Sequence, residues 1–248
     1  MGGSRDLDTA QGAAARGAAI DAFLETARQV APPSVHAPRL IFALDATMSR
    51  QPTWDLACGV QAGMFEAAAR LGGLAVQLVY FRGFDECRAS RFVADARALT
   101  GLMRGVTCQG GRTQIGRVLR HARNEAGRGP AKALVLVGDA IEEDIDDLCG
   151  VAGELGLLGL PAFCFHEGLD PAVAAGFSEI ARLSGGASAR FDLAAPEILA
   201  ALLRAAAIYA TRGLDGLRLA AHEDAAARRL LAGMTGRSTR RPDARDRE

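Results

Sequence analysis

Residues 39–49 read RLIFALDATMS, Arg39 through Ser49. The first six form a continuous apolar run capped by one arginine, a length and composition that predict a buried strand. The run ends abruptly in Asp45, Thr47 and Ser49, three oxygen-bearing side chains at alternate positions. An extended segment that then turns presents such residues to one side. Carboxylate and hydroxyl oxygens are hard ligands, suited to Mg²⁺ or Mn²⁺ rather than zinc.

Working outward, the same alternation of strand and helix patterns continues. A helix is expected over 53–71, with Leu56, Val60, Met64, Ala67 and Leu71 on one face. Strands follow at 74–81 (LAVQLVYF) and, at a sheet edge, at 88–93 (RASRFV). Helices are expected at 94–104 and 113–126, the latter facing inward through Ile115, Val118, Leu119 and Ala122. The run ALVLVG (133–138) is a buried strand, followed by a helix at 144–158, a strand at 161–165, a helix at 171–184, a short strand at 187–191 and a helix at 196–211. Strands alternating with helices predict an α/β fold, a doubly wound, mostly parallel central sheet with helices on both faces, Rossmann-like in type.

This body spans residues 38–212. Before it, 1–37 is expected to be a disordered leader (1–15) and a helix (16–31, through Ile20, Phe23, Leu24 and Ala27) stopping at Pro32-Pro33. After it, 213–236 reads as one C-terminal helix, through Leu217, Ala221, Leu230 and Leu231, and 237–248 as a charged, disordered tail.

Composition narrows the function. The 248 residues carry 29 basic and 29 acidic side chains, so the formal net charge is zero and nothing draws the chain as a whole to nucleic acid or anionic lipid. Alanine (50) is the commonest residue and arginine (28) almost wholly replaces lysine, a usage that suggests a GC-rich bacterial genome. Lys132 is the single lysine, and it lies ahead of the 133–138 strand, so lysine-dependent mechanisms have one candidate, at the wrong end. The five cysteines are widely spaced with no C-x-x-C pair, so free thiols in a reducing compartment are expected rather than disulfides or a Cys-rich zinc site. The N-terminus shows no signal peptide, and the apolar stretch 198–210 is short and broken by Arg204; a cytoplasmic protein without membrane spans is expected.

In a doubly wound sheet, ligands bind beyond the carboxyl ends of the strands where strand order reverses. The residues to inspect there are Asp45, Thr47 and Ser49, then Thr113 at the head of its helix after Gly110-Gly111-Arg112, then Asp139 after the 133–138 strand. If these loops converge, five oxygens meet. The simpler alternative is that Asp45, Thr47 and Ser49 cap the 53–71 helix and Asp139 caps the next one.

This pattern resembles the von Willebrand factor A (VWA) domain family and its metal-ion-dependent adhesion site (MIDAS). That site is D-x-S-x-S after the first strand, a Thr before a middle helix and an Asp after the fourth strand. Here they are Asp45-x-Thr47-x-Ser49, Thr113 and Asp139, with the first serine replaced by Thr47 and with Ala140 where many members have glycine. The resemblance implies that Thr47, Ser49 and Thr113 ligate the metal directly, while Asp45 and Asp139 act partly through water. It implies a vacant coordination position that accepts a carboxylate from a partner protein. It also implies an intracellular bacterial setting beside an AAA-type ATPase or in a multiprotein assembly. The function expected is a non-enzymatic, metal-dependent protein-interaction module; the alternative is a Mg²⁺-dependent phosphate-handling hydrolase on the same fold.

Other motifs are less persuasive. Gly110–Thr113 echoes a phosphate loop without its lysine; the glycines are expected to permit close approach to the metal loop. A haloacid-dehalogenase-type phosphatase would need a second acid where Thr47 stands, and no G-x-S-x-G elbow exists for a serine hydrolase. Asp139, Glu142, Glu143, Asp144, Asp146 and Asp147 read as a solvated helix start or as a negative rim that concentrates cations. Arg82, Arg88, Arg91 and Arg97 read as a charged, solvated sheet edge. Of the histidines His36, His121, His166 and His222, only His166, with Glu167, falls at the expected site end.

Overall fold

A computed structural model describes residue 34 and residues 37–236. The leader, the 16–31 helix and the tail expected from the sequence lie outside the described residues.

Six strands form one sheet: β1 (Arg39–Asp45), β2 (Ala75–Arg82), β3 (Glu86–Val93), β4 (Ala131–Gly138), β5 (Ala162–Glu167) and β6 (Ala187–Phe191). Their spatial order is β3-β2-β1-β4-β5-β6. All neighbours are parallel except β3, which returns antiparallel along β2 at the edge. The chain moves from β1 outward to β3 and then crosses back to lay β4 on the other side of β1. Strand order therefore reverses between β1 and β4, and a crevice opens at their carboxyl ends. The α/β, doubly wound, mostly parallel reading of the sequence holds.

Side-chain alternation divides the core into two layers. Leu40, Phe42 and Leu44 of β1 point into one, and Ile41 and Ala43 into the other. The second layer is closed by α4 (Ile115–Arg128), α5 (Ile145–Leu157) and α6 (Pro171–Ser184). The first is closed by α1 (Gln51–Val60), α2 (Ala62–Ala69), α3 (Ala96–Arg104), α7 (Pro196–Ala220) and α8 (Ala225–Thr235). Buried on both faces, β1 and β2 need no polar alternation, which is why β1 reads as an apolar run up to Asp45 and β2 is interrupted only by Gln77 before Arg82. Aspartates cap four helices: Asp95, Asp144, Asp170 and Asp224 each accept from backbone N–H groups of the first turn.

Two helices depart from expectation. The 53–71 stretch is broken at Gln61, a buried side chain whose Nε2 donates to Ala96 O and to Thr100 Oγ1 of α3. The buried face runs through Thr53, Trp54, Ala57, Gln61, Met64 and Ala68, sharing only Met64 with the expected one. Trp54 sets that orientation, because its indole is buried and donates to Met103 O. The 213–236 stretch is not one helix either. Its first part continues α7 past Gly213, which takes a positive φ of 62° that glycine alone adopts freely. Its second part is α8, and Leu217, Ala227 and Leu230 are fully buried against the sheet layer.

Arg82, expected at a solvated edge, is 1% exposed. It donates to Thr107 O at 2.5 Å and pairs with Glu86 at 3.0 Å, and it lies beside the Tyr80 ring. The buried charge is thus spent on holding the 105–113 loop against β2. All five cysteines are free thiols. Among the described residues no helix is long and apolar enough to cross a membrane.

Candidate metal centre

Three loops meet at the crevice. The first leaves β1 at Asp45 and passes through a short 3-10 turn (Met48–Arg50) into α1. The second precedes α4, and the third follows β4. Asp45, Thr47, Ser49, Thr113 and Asp139 all line one cavity of about 310 Å³, together with Met48, Gly110, Gly111, Ala140 and Glu142.

The local geometry explains how each is held. Asp45 is 3% exposed and accepts from Thr47 N at 2.7 Å, so the loop turns about its carboxylate. Thr47 Oγ1 and Ser49 Oγ lie 3.5 Å apart. Thr113 is buried and locked reciprocally to Glu142: Thr113 N donates to Glu142 Oε2 at 2.8 Å, and Glu142 N donates to Thr113 Oγ1 at 3.0 Å. Glu143 accepts from the N–H groups of Ile115 and Gly116, which satisfies the open head of α4. The capping alternative is not what these residues do. The first turn of α1 has no side-chain cap, and Asp144, not Asp139, caps α5.

Burial shapes the charges. Desolvation is the main cause that pushes Asp45 from 3.8 up to about 6, and it also raises Asp139. The hydrogen bond from Thr47 works against it at Asp45, and the Arg50 guanidinium does so at Asp139. A carboxylate held out of water at the cavity, as Asp45 is, is costly until a cation joins it, whereas the half-buried Asp139 is already paired with Arg50. The donor set is oxygen only, two carboxylates and three hydroxyls. Neighbouring ligands of an octahedral Mg²⁺ at ~2.1 Å sit ~3 Å apart, close to the separation of the Thr47 and Ser49 hydroxyls. These residues fit a small hard cation. Among the described residues no group of three or more His, Cys, Asp and Glu side chains could hold a metal. A hydroxyl-rich centre with two acids is a different kind of site.

Several site neighbours carry weak signals in sequence. Glu142 lines the cavity, and Arg50 stands behind it. Arg50 pairs with Asp139 at 3.1 Å and with Glu167 at 2.5 Å. Glu167 also accepts from Thr53 Oγ1 at 2.6 Å. Adjacency to Ser49 was the only cue for Arg50. His166 points elsewhere: it is buried beside Phe177 of α6, its Nδ1 has no hydrogen-bond partner, and burial lowers its pKa. The close approach expected of the glycines is made by Gly111 alone, and to the β2–β3 turn: a Cβ there would lie 2.1 Å from Gly83 O, whereas Gly110 faces open space.

No protein-family model matches the sequence, and no curated protein does. Solved structures do. The chain is similar to a von Willebrand factor type A protein from Catenulispora acidiphila, at 18% identity and a TM-score of 0.54, over 69% of this chain and 43% of that one. It thus spans less than half of that protein. It is also similar to the SpRpn10 VWA domain, at 11% identity and a TM-score of 0.53, over 66% of this chain and 95% of that domain. A third likeness is to proximal thread matrix protein 1 from the mussel byssus, in a form with a zinc-occupied MIDAS motif, at 17% identity and a TM-score of 0.50, over 66% of this chain and 45% of that one. Sheet order, strand direction and these likenesses agree that the chain has the von Willebrand factor A fold.

Proposed function

We propose that this protein is a divalent-metal-dependent protein-interaction module. Thr47, Ser49 and Thr113 would hold Mg²⁺ or Mn²⁺, with Asp45 and Asp139 acting partly through water. The observation that carries this reading is the convergence of those five side chains, from three loops, on one cavity at the point where strand order reverses. Bound there, the metal would supply a Lewis-acidic position for a carboxylate of a partner protein. The chain's own part is to present neutral hydroxyls, so that positive charge remains for the partner. The zinc-occupied MIDAS of the byssus protein supports divalent binding by this fold. An AAA-type ATPase in a cytoplasmic bacterial assembly is the partner class that the family resemblance implies.

Titration of Mg²⁺ and of Mn²⁺ into the purified protein, followed by melting temperature, tests the reading. Ligation of the folded state should raise Tm in wild type and not in Asp45→Ala. Equal responses of the two proteins, or none in either, would count against the site. Turnover of generic phosphoesters would instead favour a hydrolase.

A further inference from the structure

The site already contains a cation. Arg50 is the residue after Ser49, and its side chain is only 12% exposed. Its Nη2 reaches Asp139 Oδ2 at 3.1 Å, and its Nη1 reaches both Glu167 Oε2 at 2.5 Å and Thr53 Oγ1 at 3.1 Å. Thr53 Oγ1 in turn donates to Glu167 Oε2 at 2.6 Å, so the guanidinium is clamped from α1, the loop after β4 and the end of β5 together. Its Nε is buried with no partner. Held this deep, the guanidinium's charge is poorly screened by salt.

We propose that Arg50 is the affinity-setting residue of the metal site: it occupies Asp139 in the metal-free protein and keeps divalent binding weak. The inference rests on the metal-site reading of the cavity. Two effects act in the same direction. Asp139, which lines the cavity, has its Oδ2 engaged by the guanidinium and so offers a metal or its water shell less of its charge. The arriving double positive charge is also repelled by a fixed positive charge held on the Asp139 side of the site. Glu167 balances Arg50 from behind, which is why the cation is tolerated among buried groups.

The test is calorimetric titration of Mg²⁺ and Mn²⁺, with no partner present. It uses wild type, Arg50→Gln, Arg50→Lys, Glu167→Gln, the Arg50→Gln/Glu167→Gln double variant, and Asp45→Ala as the blank. Removing the charge should tighten binding by at least about tenfold. Arg50→Lys keeps the charge and should stay within about threefold of wild type. The double variant removes one charge of each sign, so it remains balanced if the single variant fails to fold; it should bind at least about tenfold more tightly than Glu167→Gln alone. Equal or weaker binding after loss of the charge, in a wild type that does bind metal, overturns the role of Arg50 and leaves the metal site standing. Absence of binding in wild type and in every Arg50 variant overturns the metal site and this inference with it.

Discussion

Replacing Asp45 by asparagine should stabilise the metal-free protein while abolishing its response to metal. Asp45 is 3% exposed, and burial lifts its pKa from 3.8 to about 6. At pH 8 the native state must therefore hold an ionised carboxylate that it disfavours. A change of about two pH units is worth about 3 kcal/mol at most. The asparagine side chain keeps an acceptor for Thr47 N, but its new N–H groups need partners, which returns part of the gain. A net stabilisation of about 1–2 kcal/mol remains, or about 3–6 °C in Tm for a chain of this length. The pH dependence has a definite sign. Below about pH 4 Asp45 is protonated in both states and contributes its full stability. Between 4 and 6 the unfolded state ionises first, so wild type loses stability as pH rises, and the loss is complete above the native value. The asparagine variant lacks that slope. The assay is thermal unfolding of both proteins in a chelator from pH 4 to 8, repeated at saturating Mg²⁺. The variant should lead at pH 8 in chelator, converge with wild type near pH 4 and gain nothing from Mg²⁺. A variant no more stable than wild type at pH 8, or one with the same pH slope, refutes the account of Asp45 as a buried charge awaiting a cation.

Two further outcomes follow from the packing. Gly111→Ala drives a Cβ into the Gly83 backbone and should cost about 1–3 kcal/mol by chemical denaturation, while Gly110→Ala, in open space, should cost little; equal effects would contradict the close approach. His121 is held partly buried against Gln77, with ring nitrogen and amide oxygen 2.8 Å apart, and burial lowers its pKa below 6.5. The unfolded state therefore protonates first, and stability present above pH 6.5 is lost as pH falls through the lower native value. His121→Gln should flatten that part of the stability–pH curve, and an unchanged curve would remove His121 from it.

The five oxygen residues were legible because each stands at the junction of a strand or helix, and junctions are visible in local pattern. Asp45 ends an apolar run, Thr113 opens an inward-facing helix, and Asp139 follows a strand. Their convergence needed only the rule for where doubly wound sheets bind ligands. The helix faces were less legible. Counting leucines over 53–71 missed that Trp54 and Gln61, with polar atoms to satisfy, orient the segment more strongly than Leu56 or Val60. Arg82 misled for a related reason, although Arg88 and Arg91 are exposed on the edge strand as expected: composition marks Arg82 as a surface charge, and only its pairing with Glu86 and Thr107 O explains its burial.

The sequence by itself determined the architecture and the chemistry of the donors. Hydrophobic period and residue type are local quantities, and an alternating α/β pattern admits few topologies. Tertiary structure alone decided the electrostatics. Arg50 meets Glu167 across 117 positions and lies against Asp139 through a fold contact. No spacing rule records such a pairing, because charges interact through space and the chain brings them together only after the sheet has formed.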